Sequence, residues 1–442
     1  MTDESLIKAE KDYTEILDRE LPIIDELYSK DFSSALDQLL VLEKQTRQAS
    51  DLFSSKRVLT KIIDISIKSG NWKIMNEQVQ LLSKKHGQLK QAITSMIQEV
   101  IKGIDETPDL DTKIKTIENI RSVTEGKIYV EVERARVSRT LSKIKEDEGD
   151  IDAATEILGE LQVETYGSMD IREKTEFILE QVELYIKKGD YTRALILSRK
   201  IVARYFEKEE THDLKLRYYE LLIKIDLHNS HYLEACQHYR AVYNTPRVLE
   251  DESKWKQALE HIVFFIILSP YDNEQSDLIH RIATDTRLSK LTIHQDLIKC
   301  FTANELMRWP KVEQIYGPPL QKTDIFDINT SEGRTRWDDL RKRVVEHNLR
   351  VISKYYTRIR THQLNYLLDL SEKETEEFIS KLVTQGTIYA RINRPERIVN
   401  FDEPKGDTEV LNEWSYSIGQ LLGHIETIGH LIAKEEMIHG MK

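Results

Sequence analysis

Apolar residues recur at spacings of three and four through most of the chain, with charged residues between them, which is the pattern of amphipathic helices. Five stretches give that pattern a punctuated start: a turn, then a large residue, then often an alanine near the beginning of a helix. They are SKDFSSALDQLL, SGNWKIMNEQVQLL, EGDIDAATEILGEL, KGDYTRALILSRKI and NSHYLEACQHYRAV, marked by Phe32, Trp72, Ile151, Tyr191 and Tyr232. The intervals between markers are 40, 79, 40 and 41 residues, and TPDLDTKIKTIENI near Leu110 supplies a weaker copy inside the long interval. Asp or Asn ahead of a helix can cap its free N–H groups. Gly70, Gly149 and Gly189 can close the preceding helix in the left-handed conformation. The large marker fills the gap between paired helices, and a small Ala153, Ala194 or Ala235 permits close approach. One such helix pair cannot bury its apolar face alone, whereas stacked neighbours bury it together. The expectation is an all-α chain whose residues 1–250 form an α-solenoid of TPR-like helix-turn-helix repeats.

The texture changes after Pro310. Gly317, Pro318 and Pro319 read as the end of a helix, and the polar run to Gly333 reads as a loop. Residues 251–335 are therefore assigned to a further helical part and its loop. A long helix follows, roughly Trp337 to Arg358, with Val344, Val345, Leu349, Ile352 and Tyr356 on one side. A shorter helix, HQLNYLLDL, comes next. Ser371 with Glu374 three residues later is a capping-box signature for a third helix, which Gly386 ends. In GTIYARINRPERIVNF, Ile388, Ala390 and Ile392 alternate with polar residues, and Ile398 and Val399 follow a turn containing Pro395, so a small β-hairpin is predicted. Three helices and a hairpin over residues 336–404 are the order of a winged helix. Its third helix carries Glu372, Glu374, Glu376 and Glu377 against Lys373 and Lys381, and a negative helix is repelled by DNA phosphates. A protein-binding role is expected instead, with Ile388, Ala390, Ile392, Ile398 and Val399 at an open sheet edge that can pair with a neighbour.

From Val410 the pattern becomes strict. Leu411, Trp414, Ile418, Leu421, Ile425, Ile428 and Ile432 follow one another at intervals of 3, 4, 3, 4, 3 and 4, a heptad seam. The flanking positions Ser415, Ser417, Leu422, His424, Gly429 and Leu431 include no Lys or Glu, so the apolar face is wider than a two-stranded zipper needs. Gly419, Gly423 and Gly429 each weaken the helix by about 1 kcal/mol relative to alanine. Burying the seam side chains at ~1.5–3 kcal/mol each gives roughly 10–20 kcal/mol gross, against ~4–15 kcal/mol for association and ordering. Residues 405–442 are therefore expected to form one helix of a bundle with more than two members, drawn from different chains.

Composition removes several classes of function. The chain has 442 residues with a formal net charge of −12, 16 glycines and 9 prolines, which favours helices and opposes general nucleic-acid binding. The one strongly basic stretch, Arg334 to Arg360, has nine basic and three acidic residues. It suits a solvated face or acidic protein partners. Two cysteines, Cys236 and Cys300, cannot form a disulfide framework and fit a reducing compartment. The opening MTDES has neither the basic nor the apolar region of a signal peptide. The longest apolar run, Ile262 to Leu268, is far short of the ~20 residues of a membrane helix. A soluble protein of cytoplasm and nucleus is expected, without membrane contact. GxxxxGK[ST], HExxH and HxH motifs are all absent, and His228, His231, Cys236 and His238 read as capping and packing residues. Neither an enzyme nor a cofactor or metal is predicted.

The order of helical repeats, winged helix and terminal helix resembles the PCI-domain proteins, scaffold subunits of the proteasome lid, the COP9 signalosome and translation initiation factor three. SALDQLLVLEKQTRQASDL (34–52), LLSKKHGQLK (81–90), YVEVERARV (129–137), ELQVETYGSM (160–169), HIVFFIILSPYDNEQSDLIHRI (261–282), FTANELMRWP (301–310), EHNLRVISKYYTRI (346–359) and LNEWSYSIGQLLGHIETIGHLIAKEEMIHG (411–440) look like the fungal form of the family of non-ATPase regulatory subunit five of the 26S regulatory-particle lid. The resemblance implies a noncatalytic scaffold for ubiquitin-dependent degradation. It implies a hetero-oligomer with other PCI-domain lid subunits, the metal-dependent deubiquitinase subunit pair, the ATPase base and the core particle. A COP9 signalosome scaffold subunit and an RNA-associated PCI adaptor using the Arg334–Arg360 stretch remain open alternatives.

Overall fold

The structure, a computed structural model, describes residues 13–28 and 31–440. The MTDES opening and the first two residues of the first repeat stretch lie outside the described residues. Two units divide at Ser230 and His231.

The first unit is a succession of helix pairs: Phe32–Gln48 with Leu52–Lys68, Trp72–Lys84 with Lys90–Gly103, Leu110–Thr124 with Glu131–Asp147, Ile151–Gly159 with Ile171–Lys188, and Tyr191–Ser198 with His212–His228. Each repeat marker, the weak copy at Leu110 included, is the first residue of its helix. Side-chain caps fix three of these starts. Asp31, Asp150 and Asp190 accept from the backbone N–H of Ser33, Ala153 and Arg193 respectively. Gly70, Gly149 and Gly189 all have positive φ, which lets the chain reverse between helices at little cost. Ser230 takes the corresponding place before His231 and Tyr232 and adopts φ 59° despite its Cβ.

Stacking is visible in the polar contacts as well as the core. Arg121 meets Glu160 at 2.9 Å, Arg136 meets Glu173 at 2.7 Å, and Lys187 meets Glu146 at 2.6 Å. Each pair is about one repeat apart in sequence, and all three tie the Leu110–Thr124/Glu131–Asp147 pair to the Ile151–Gly159/Ile171–Lys188 pair. Buried Glu43 is held by Arg47 at 3.0 Å, Lys85 at 2.8 Å and Gln88 at 2.9 Å, the partnering that a buried carboxylate needs.

In the second unit the Glu252–Leu268 helix is the central rod. Every residue from Ile262 to Leu268 is buried. Helices Tyr232–Tyr243 and Ser331–Tyr355 pack against it. Buried Asn348 secures the 302–308 connection by accepting from Met307 N–H at 2.8 Å and donating to Met307 C=O at 2.6 Å.

Two local expectations are corrected. The Trp309–Leu320 helix passes through Pro318 and Pro319 and ends only at Leu320. Pro310 sits in its first turn, where a missing N–H is harmless, and the later prolines sit in the last turn. The long helix starts at Ser331, earlier than expected, and stops at Tyr355. Thr330 caps it by accepting from Gly333 N–H at 3.1 Å. The first turn is tight: a Cβ on Gly333 would stand 2.0 Å from the carbonyl oxygen of Asp327. Tyr356 and Arg358 are thereby outside the helix.

The winged helix contains three helices and a three-stranded antiparallel sheet. Helices Ser331–Tyr355, Thr361–Leu368 and Glu372–Thr384 surround a core of Leu349, Ile352, Leu364, Ile379 and Leu382. Strands β1 (Arg358–Arg360), β2 (Arg391–Asn393) and β3 (Ile398–Asn400) lie in the order β1-β3-β2. Ser371 and Glu374 form the reciprocal capping box, and Gly386 closes the helix with φ 70°. The chain ends in a 34-residue helix, Asp407–Gly440.

Candidate interaction surfaces

The terminal helix has no buried residue. The seam side chains Leu411, Trp414, Ile418, Leu421, Ile425, Ile428 and Ile432 are between 42% and 66% exposed. Val410, Tyr416, Leu422, Leu431, Met437 and Ile438 are exposed too, so the apolar surface extends beyond one seam. A monomer does not normally keep so much contiguous apolar surface in water, and patches of this kind mark interaction sites. Gly419, Gly423 and Gly429 have nothing within 4 Å of a Cβ position, so no close approach within the chain accounts for them.

The winged-helix sheet differs from its sequence reading in one respect that matters. Strand β3 is the central strand: Val399 faces Ile359 on one side and Ile392 on the other, and Ile398 faces Arg360 and Asn393. Ile398 and Val399 are therefore not at an edge, and Val399 is buried. Ile388 and Ala390 precede β2; Ile388 is buried and Ala390 half-buried, both against the winged-helix core. Of the five residues predicted at the edge, Ile392 alone belongs to an edge strand. A proline at Ile398 would break internal ladder bonds, so it tests folding, not docking.

The strand missed in the sequence is β1. Three residues following a 25-residue helix give too short a period to register, and TRIR reads as a continuation of the basic helix. Its only signal is buried Ile359 between exposed Arg358 and Arg360. The open edges are thus β1 and β2, and both carry exposed arginines, Arg358, Arg360 and Arg391. Charge on an edge opposes indiscriminate strand pairing. The third helix is tied to the wing by Arg394 and Glu376 at 2.9 Å.

The basic Arg334–Arg360 stretch is largely used inside the unit. Arg334 donates to the carbonyl of Ile328 at 2.7 Å, Arg336 pairs with Glu332 at 2.7 Å, and Lys342 pairs with Asp339 at 2.9 Å. Arg343 donates to the carbonyl of Leu268 at 3.0 Å and pairs with Glu346. These charges do not form the continuous free stripe that phosphate tracking requires.

Cys236 and His228 have packing contacts. Cys236 is buried with its Sγ 3.6 Å from the carbonyl of Ile262, and burial pushes its thiol up to about 12. Its thiolate is therefore scarce at neutral pH. His228 stacks on Tyr191 with ring centres 3.7 Å apart. Among the described residues no helix is long and apolar enough to cross a membrane.

Comparison with known proteins places three family matches along the chain. The PSMD12/CSN4 N-terminal family matches residues 34–251, the PCI domain residues 280–403, and the C-terminal domain of 26S proteasome regulatory subunit RPN5 residues 408–440. The chain is 55% identical to 26S proteasome regulatory subunit RPN5 of Saccharomyces cerevisiae over 444 aligned positions, covering 100% of both chains. It is 48% identical to 26S proteasome regulatory subunit rpn501 of Schizosaccharomyces pombe, covering 98% of each. COP9 signalosome complex subunit 4 of Emericella nidulans is 24% identical over 78% of this chain and 88% of its own length.

Proposed function

We infer the role of this chain from one premise: it belongs to the family of 26S proteasome regulatory subunits that includes RPN5, and it is a PCI-domain subunit of the regulatory-particle lid. We propose that it is noncatalytic and acts as a scaffold. The observation that carries this reading is the Asp407–Gly440 helix, long, apolar and without a buried residue. Its seam residues Leu411, Trp414, Ile418, Leu421, Ile425, Ile428 and Ile432 enter a bundle with helices of other lid subunits. Water is excluded there on more than one face, which matches the breadth of the apolar surface. The edges β1 and β2 dock the winged helix against neighbouring PCI subunits, and the solenoid reaches the deubiquitinase subunit pair, the ATPase base and the core particle. Such a hetero-oligomer works in cytoplasm and nucleus.

The signalosome alternative is not favoured, because identity to the proteasome subunits is about twofold higher and extends through the terminal helix. The RNA-adaptor alternative is not favoured, because Arg334, Arg336, Lys342 and Arg343 of the basic stretch are engaged by their own unit.

The test is truncation after Gly406, with the variant expressed in place of the full chain in a eukaryotic cell and the regulatory particle purified under native conditions. The truncated protein is expected to fold, since no residue of the helix is buried, and to be missing from the completed lid. Normal incorporation would refute the role given to the helix.

A further inference from the structure

The solvent face of the winged-helix sheet has a composition that folding does not require. Side chains that oppose one another across paired strands share a face, as do side chains two apart along a strand. The register therefore puts Arg358, Asn400 and Arg391 in one row and Arg360, Ile398 and Asn393 in the next. Ile359, Val399 and Ile392 are on the opposite side, against the winged-helix core. Arg358, Arg360 and Arg391 are exposed, and Ile398 is half-buried on the central strand between Arg360 and Asn393.

Among the described residues none of these three arginines forms an ion pair or a side-chain hydrogen bond. Arg391 has its guanidinium carbon 5.5 Å from the centre of the Tyr389 ring. Arg394 of the same hairpin, by contrast, pairs with Glu376, and Arg343 of the long helix pairs with Glu346. The carboxylates nearest along the chain stand beyond the two ends of β3. Glu396 accepts from Asn393 Nδ2 at 3.0 Å, and Asp402 donates its backbone N–H to Asn400 Oδ1 at 3.1 Å. Strand spacing and rise set the three arginine Cα atoms roughly 7–12 Å from one another. That is close to one screening length in physiological salt, so the three cations repel and the fold gains nothing from their company. Protection of the sheet edges accounts for charge on β1 and β2. It does not account for an isoleucine facing outward between them. An apolar centre flanked by arginines is the composition of a protein-binding surface.

We propose that this face binds an extended acidic segment of a partner protein, with an apolar side chain set among its carboxylates. Carboxylates two residues apart on a strand are about 7 Å apart, the same separation as Arg358 and Arg360. Each guanidinium can take a carboxylate through two parallel N–H groups. The apolar side chain of the segment covers Ile398. Three cations within roughly 12 Å match a few carboxylates, whereas tracking a phosphate backbone takes a longer run of positive charge. The face is separate from the terminal helix and from the backbone edges of β1 and β2, so it adds a contact that the scaffold reading does not contain and does not depend on.

The test is fluorescence polarisation of the purified full chain with the labelled peptide Gly-Glu-Thr-Leu-Thr-Glu-Thr-Glu-Gly. The same peptide with lysine for glutamate and a labelled oligouridylate of equal length serve as comparisons. Saturable binding of the acidic peptide and none of the lysine peptide is expected. Arg358→Gln and Arg391→Gln are each expected to weaken it about fivefold, and the two together to abolish saturation. Lys44→Gln removes an equal charge from an exposed position on the first repeat and is expected to change nothing. Threonine in place of the peptide's leucine is expected to weaken binding about threefold, and equal binding would overturn the part given to Ile398. Both arginines are exposed, so their variants are expected to keep the wild-type urea midpoint, and their places on different strands keep the test decisive if one variant folds poorly. No saturable binding of the acidic peptide at millimolar concentration would overturn the proposal, as would binding that the arginine variants leave unchanged or that Lys44→Gln weakens equally. Oligouridylate binding tighter than the peptide, and lost in the arginine variants, would overturn it in favour of a nucleic acid.

Discussion

Two helices of the second unit are both strongly apolar and have opposite surroundings. Glu252–Leu268 buries ten of its residues, including the unbroken run Ile262–Leu268. Asp407–Gly440 buries none of its residues. The first is apolar all round because it has neighbours within its own unit on every side. The second has a comparable composition without the neighbours. Hydrophobic free energy follows area removed from water, not residue type. The same kind of side chain is therefore a stability determinant in one helix and an association determinant in the other.

The sharpest way to break that comparison is to place the same charge in both. Val263→Asp would bury a carboxylate with no partner in the central rod, where Val263 is 0% exposed. It is expected to cost about 4 kcal/mol or more and to leave little soluble protein. Ile425→Asp, on a side chain 55% exposed, is expected to leave the urea midpoint of the free chain unchanged and to block entry into the lid. Equal destabilisation by the two, measured by urea denaturation, would show that the terminal helix packs on its own chain.

Acid separates the two regions by a different route. Burial holds His261 down to about 4, and burial together with Arg350 holds His347 down to about 4. Both folded-state values lie below the ordinary histidine value of about 6.5. Above pH 6.5 neither state is protonated and the stability is complete. As pH falls from 6.5 toward 4 the unfolded chain takes up protons that the folded chain refuses, so stability declines by at most about 3 kcal/mol per histidine. Below 4 this contribution is fully lost. The terminal helix has no buried histidine, so its helicity should not follow this titration. Urea midpoints between pH 7 and 4.5 check this, and His347→Gln is expected to flatten the decline. A wild-type midpoint that does not move across that range contradicts it.

A backbone contact gives the next effect. Gly333→Ala would force a methyl against the Asp327 carbonyl, 2.0 Å from the ideal Cβ position, and must displace the 327–330 turn. A loss of about 3 kcal/mol is expected, read as a lower urea midpoint. An unchanged midpoint would mean that the turn yields freely.

How much could be read from the sequence follows the same division. The repeats were legible because each of these helices begins on a large residue, three of them after a capping aspartate, and stacking at about forty residues repeats that device. The terminal helix was legible because its heptad spacing is unbroken from Leu411 to Ile432. The sheet was legible only in part. The hairpin at Ile392 and Val399 follows from alternation, but the centre of the sheet depends on β1, three residues whose pairing with β3 is nonlocal. Without it Ile398 and Val399 looked like an edge. Pro318 and Pro319 misled for another reason: a proline disrupts a helix by removing an N–H bond and crowding the preceding turn, but this helix ends at Leu320, so little of it remains to be interrupted.

The smallest predicted effect bears on why the terminal helix contains glycine at all. Gly419 and Gly423 are helical, and a Cβ on either would meet nothing within 4 Å. In the free chain Gly419→Ala and Gly423→Ala should each favour the helix by about 1 kcal/mol, raising helical circular dichroism and its melting temperature. Within the lid the sign can reverse, because glycines four residues apart share a face and let another helix approach closely. The variants are thus expected to gain helicity alone and to enter the lid less well in competition with the wild-type chain. Gained helicity with undiminished entry would mean that the partner helices lie against the Leu411–Ile432 seam and leave the glycine face open. No gain in helicity would show that the free helix is already held by something else, and the contrast with Glu252–Leu268 would fail with it.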